Sequence, residues 1–124
     1  MPDINVASAL LTNNAASTLA SAITNVATSL TVSAGTGSKY PNPVAGEYFF
    51  VTLSNPAGTV IEIVKVTARA TDVFTIVRGQ DGTTGTAFNS ADLVELRPNA
   101  EVVREKLDRK RYWGLGLTDL YIMP

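Results

Sequence analysis

The sequence contains no cysteine and no histidine. Without cysteine there is no disulfide framework and no thiolate for catalysis. Without histidine the chain loses the commonest zinc, copper and non-haem iron ligand, and the usual general base near neutral pH. Charge is sparse as well. Asp, Glu, Lys and Arg make up 17% of the 124 residues, below the usual share of about a quarter. The 10 basic and 11 acidic residues leave a formal net charge of −1, so no global basic field attracts nucleic acid and no acidic tail is present. No run of about 18 apolar residues occurs, so nothing reads as a membrane-spanning helix. The opening MPDINVASALL carries an Asp and no basic segment, so it does not read as a signal peptide.

What remains is a chain of single-domain length in which 45% hydrophobic residues can supply a modest core. Thr, Ala, Val, Asn and Gly stand where charged residues usually would. Low charge with many small polar residues fits a protein whose surface is largely covered by neighbours.

The pattern along the chain is β-rich. Residues 1–14 read as an N-terminal arm, either extended or a short helix needing a partner surface, or else as a disordered terminus. Ala15–Ile23 is ambiguous, because Leu19 and Ile23 suit either period; the β-rich context that follows favours a strand. Ser29–Ala34 alternates, with Leu30, Val32 and Ala34 inward. Tyr40–Gly46 is a Pro/Gly loop. Glu47–Asn55 is a strand with Phe49, Val51 and Leu53 on one face. Val60–Ala70 is a long strand of imperfect parity, since Ile61 and Ile63 oppose Val64 and Val66. A bulge or burial on both faces near Ile63–Val64 would reconcile it. Val73–Arg78 and Asp92–Arg97 complete the set, the latter with Val94 and Leu96 inward. Asn99 is a suitable N-cap for a helix over residues 99–113, with Val103 and Leu107 as a narrow apolar stripe. The expected fold is mainly β: a small antiparallel β-sandwich or barrel over residues 15–98. One C-terminal helix follows, then an apolar tail over residues 114–124, so extended arms lie at both ends.

The centre of the sequence is Val73–Leu96, VFTIVRGQDGTTGTAFNSADLVEL, two apolar runs flanking a Gly/Thr loop. No Lys follows its glycines as a Walker loop requires, and the dinucleotide spacing is missing. The alternative is a tight loop structured by Arg78, Gly79, Asp81, Gly82 and Thr83. There Gly supplies positive φ, and Asp81 and Thr83 bond their own backbone. Arg78, at the root of the loop, is expected to bridge to Asp81 or Asp92, or to cap loop carbonyls; a contact to a neighbouring subunit is the other reading. Asp81 and Asp92, alongside Asp72, could be cation ligands, but their spacing matches no EF-hand; turn-capping is the simpler role. No Ser-x-x-Lys replaces the missing histidine, and a glycosidase needs a cleft flanked by two acids. The expectation is a protein without enzymatic activity, cofactor or metal. A sugar-binding platform would need exposed aromatics, for which Tyr40, Tyr48 and Phe88 are candidates.

Function therefore points to the C-terminus. Arg104, Lys106, Arg109, Lys110 and Arg111 precede Tyr112 and Trp113. Basic residues beside aromatics can bind single-stranded nucleic acid, but Glu101, Glu105 and Asp108 are interleaved, which fits a solvated helix. The tail concentrates Tyr112, Trp113, Leu115, Leu117, Leu120, Tyr121 and Ile122. A chain end that apolar either folds back on its own sheet or docks on a partner by strand addition or groove binding.

The segments TLASAITNVATSLTVSAGTGSKYPNPVAGEYFFVTL, EIVKVTARATDVFTIVRGQDGTTGTAF and ADLVELRP together resemble a module of tailed-bacteriophage virion proteins, found in tail, tail-fibre and neck-associated proteins. The resemblance covers roughly residues 13–98, and Arg78-Gly79-Gln80-Asp81-Gly82-Thr83 is its most specific part. It implies a small β-domain with a structural or attachment role in a virion and no catalytic residues. Its implied partners are other tail, neck or fibre subunits, in several copies or as a homo-oligomer; the charge pattern makes nucleic acid an unfavoured partner, and no apolar run points to a membrane. The chain departs from the family's usual context, a longer fibre or spike, by stopping soon after the module with a charged helix and an apolar tail. Fastening tail parts, adapting a fibre to the tail and decorating the capsid are all compatible roles.

Overall fold

In the computed structural model, residues 8–107 are described. Seven strands are present among them: β1 (Ser8–Ala9), β2 (Ala16–Thr18), β3 (Ser29–Thr31), β4 (Glu47–Ser54), β5 (Ile61–Ala70), β6 (Val73–Gln80) and β7 (Leu93–Glu95). A helix, α1, covers residues 100–107. Six strands form a curled antiparallel sheet in the order β2-β7-β4-β5-β6-β3. Its two end strands meet through an antiparallel bridge between Leu19 and Val32. There the Ala20 amide donates to the Thr31 carbonyl at 2.8 Å and the Ser33 amide to Thr18 at 2.9 Å. The sheet thus closes into a small barrel, which leaves few unpaired edge groups.

Period-2 alternation fills the interior. Phe49, Val51 and Leu53 of β4, Val64 and Val66 of β5, Phe74 and Ile76 of β6, and Val94 of β7 are all buried, together with Leu19, Leu30 and Val32. Tyr40 enters this core from the Pro/Gly loop. Its ring packs edge-on against Phe74 at 4.9 Å between centroids and its hydroxyl donates to the Val94 carbonyl at 2.6 Å. Burial, and secondarily the charge of Glu95, pushes the phenol pKa well up, so it stays a neutral donor. Ala34, expected to point inward, is exposed. The chain leaves the sheet after Val32 in a turn closed by Thr36 N–H on the Ser33 carbonyl.

β5 keeps its alternation, with Glu62, Val64 and Val66 inward and Ile61 and Ile63 outward, while its register with β6 shifts at two places. Pairs Ile63–Gln80 and Lys65–Val77 differ by two residues on β5 and three on β6, so a bulge sits at Arg78–Gly79, opposite the place the sequence suggested. The outer face is covered only in part: Ile63 packs there, whereas Ile61 is 46% exposed. Phe50, Ala9 and Val102 form a second buried cluster, with Tyr48 and Ile63 packed against it. This cluster docks β1 and α1. β1 pairs in parallel with the start of β4, and α1 lies over it. The Asn99 side chain caps α1 by accepting from Val102 N–H at 3.1 Å.

The expected helix stripe is one residue out of phase. Val103 and Leu107 are 46% and 56% exposed, whereas Val102 is buried. The inward face of α1 runs through Val102 and Lys106, whose ammonium donates to the Ala9 carbonyl at 2.6 Å. Lys106 remains exposed, and it is this polar contact of its head that joins α1 to β1, a role that a hydrophobicity pattern does not show.

One loop contact is unforgiving. A Cβ on Gly37 would lie 2.0 Å from the Thr71 carbonyl oxygen. Gly37→Ala is expected to cost about 1–3 kcal/mol through overpacking, read as a lower midpoint in urea denaturation.

Candidate functional site at the Arg78 loop

Alternation places one charge on the inner face of each of two adjacent strands. Glu62 is in phase with Val64 and Val66, and Arg78 with Phe74 and Ile76. The two meet as a bidentate pair, Nε to Oε2 at 2.9 Å and Nη2 to Oε1 at 2.7 Å. Glu62 is fully buried and the Arg78 side chain is 11% exposed.

Every donor of the guanidinium is used. Besides Glu62, Nη1 donates to the carbonyls of Thr24 at 2.7 Å and Ala27 at 3.1 Å, and Nη2 to that of Thr86 at 2.5 Å. The carboxylate in turn accepts the amides of Gly79 at 2.8 Å and Thr86 at 2.9 Å. An arginine has five N–H donors and a carboxylate about four acceptor sites, so both groups are saturated. Burying an ion pair is tolerable only with such satisfaction. The junction ties β5, β6, the loop after Ile23 and the Gly/Thr loop into one unit.

Arg78 therefore acts internally, as a fork that fixes loops, but its partner is Glu62 and not Asp81 or Asp92. The sequence signal was available: opposite charges in core phase on two strands joined by the short Thr71-Asp72 turn. Glu62 was missed because the apolar Ile61 and Ile63 flanking it suggested the opposite parity.

The other loop residues hold the turn. Gly79 has φ 61° and Gly82 φ 84°, both in the left-handed region that favours glycine. Thr83 Oγ1 donates to the Gln80 carbonyl at 2.7 Å and accepts from Ile63 N–H at 3.0 Å, stitching the loop to β5. Asp81, itself at φ 52°, does not bond its own backbone. Its Oδ2 accepts from the Glu101 amide at 3.2 Å, a carboxylate at the positive end of α1.

The three aspartates lie on separate tasks. Asp92 Oδ2 accepts from Asn89 N–H at 2.8 Å. Asp72 accepts from the amides of Gly35 at 3.0 Å and Gly37 at 2.8 Å. These two amide bonds, Gly35 first, hold the Asp72 carboxyl below its ordinary range, with a smaller contribution from Arg69. Among the described residues no three carboxylates converge on one point. Of the candidate sugar platform, Tyr40 and Phe88 are core residues. Tyr48 stacks edge-on with Phe50 and carries the Lys65 ammonium 4.7 Å from its ring centroid.

Tyr112, Trp113, Leu115, Leu117, Leu120, Tyr121 and Ile122, together with Arg109, Lys110 and Arg111, lie outside the described residues. No protein-family model matches the chain, and no curated protein sequence matches it.

Removing one member of a buried pair leaves the other charge uncompensated. Arg78→Ala is expected to destabilise the barrel by about 3–5 kcal/mol, measured by chemical denaturation. Replacing both, Arg78→Met with Glu62→Leu, is expected to remain destabilising. Unlike an isolated pair, this one also satisfies the Gly79 and Thr86 amides and the Thr24, Ala27 and Thr86 carbonyls. Full recovery of stability in the double variant would show that the backbone bonds contribute nothing.

Asp72 generates an acid limb. Because its pKa is depressed in the fold, its stabilisation is fully present above the unfolded value of about 3.9. It is lost as pH falls through the lower folded value. Thermal denaturation against pH is expected to show a smaller loss below about pH 4 for Asp72→Asn than for the native chain.

Proposed function

We propose that the chain is a non-enzymatic structural protein of a bacteriophage virion, associated with the tail or neck, that fastens or adapts neighbouring components through its terminal segments. The observation that carries this reading is the docking of β1 and α1 on the outside of a barrel whose inward-facing Glu62–Arg78 pair is already saturated. Glu62, Arg78, Asp72, Asp81 and Asp92 all bond loop amides, carbonyls or each other. β1 and α1 instead meet on the outer face of β4, and in the sequence the apolar run from Tyr112 to Met123 lies C-terminal to α1, after Asp108-Arg109-Lys110-Arg111. The resemblance of residues 13–98 to phage virion modules supports the same reading. Burial of Tyr40 and Phe88 weighs against sugar recognition by an aromatic platform.

Deleting residues 115–124 is expected to leave the barrel folded by circular dichroism while abolishing incorporation into assembled particles, scored by immunoblotting purified virions. Normal incorporation of the truncated chain would remove the tail from the fastening role.

A further inference from the structure

The N-terminal strand occupies a built slot through a strained and exposed connection. The slot is specific. Ala9 is 1% exposed and packs with Phe50 and Val102. β1 pairs Ser8 with Glu47 and Ala9 with Tyr48, the Leu10 amide donates to the Tyr48 carbonyl at 2.7 Å, and Lys106 closes over the Ala9 carbonyl. The connection is different. Residues 11–14 are all exposed, with Leu11 at 50%. They border an open groove of about 530 Å³ whose other wall is Leu96 and Pro98. Asn14 holds φ at 59°, left-handed for a residue other than glycine. Immediately after it, Ala15 is anchored in the core, and its carbonyl accepts from Leu96 N–H at 2.9 Å.

A strand from another copy would make the same slot contacts as the chain's own strand, so the hinge and the protein concentration decide between them. Short hinges under strain favour exchange, and opening residues 11–14 frees Asn14 from its positive φ. We propose that β1 is exchangeable, and that in the assembled protein the slot on β4 takes the β1 strand of a second copy of this chain. This names the partner of the N-terminal arm within the structural role proposed above. It is tested on purified protein, so its failure leaves the virion reading standing, and a failed incorporation assay leaves the exchange standing.

The absence of cysteine makes a cross-linking test clean. Ala9→Cys with Tyr48→Cys in the full chain places the pair on directly opposed strand positions, within disulfide reach. After oxidation over a concentration series, non-reducing electrophoresis is expected to show a covalent dimer or higher species that increases with concentration. If no covalent dimer forms at the highest concentration, whether the bridge closes within one chain or stays open, the proposal is overturned. A second variant lacks Thr12 and Asn13, so that the strand cannot reach its own slot. By light scattering it is expected to be oligomeric at concentrations where the native chain is monomeric. A folded, monomeric hinge-deletion variant also overturns the proposal, and if that variant does not fold, the cysteine pair decides.

Discussion

The fold depends on a fully satisfied ion pair inside a small barrel. Glu62 and Arg78 face inward from adjacent strands, where an uncompensated charge would cost several kcal/mol. The pair is tolerated because the guanidinium and the carboxylate together satisfy five backbone groups from two loops. Those loops contain little apolar residue that could hold them by burial. The pair therefore substitutes for a hydrophobic anchor at that end of the barrel. The Arg78–Gly79 bulge is part of the same arrangement, since Gly79 turns its amide onto the Glu62 carboxylate.

From this junction the constraints spread outward. Thr83 ties the Gly/Thr loop to β5, and Asp81 ties it to the first turn of α1. Helix α1 is thereby positioned over β4, where Val102 and Lys106 hold β1. A charged pair in the core is thus linked, through one loop and one helix cap, to the placement of the N-terminal strand. At the opposite end of the β5–β6 hairpin, Asp72 gathers the Gly35 and Gly37 amides in the same manner. Several of the few charged residues take such fixing roles, whereas exposed pairs such as Arg97–Glu95 contribute little.

Several features were legible because they rest on local chemistry. Alternation in Phe49-Val51-Leu53 and in Leu30-Val32 gave the correct inward faces, and Asn99 caps the helix as its position suggests. Others were illegible for identifiable reasons. Ile61 and Ile63 mimic a core face, but both point outward, Ile63 against the second cluster and Ile61 largely exposed, so hydrophobicity alone does not tell inside from outside. Val103 and Leu107 look like the helix seam, but Lys106 reaches a backbone carbonyl and rotates the contact by one residue. Tyr40 and Phe88 are sequence candidates for a sugar platform, which would need them exposed, yet the barrel draws both inside.

By itself the sequence determined the β-rich class, the strand-and-turn order, the helix start and the exclusion of thiol and imidazole chemistry, because each follows from residue types and short-range periodicity. Only the tertiary structure decided that the sheet closes at Leu19–Val32 and that β1 and α1 meet on the outer face of β4. Those facts depend on which strands become neighbours. Pairing between distant strands is set by the packing of the whole core and leaves no mark on local sequence.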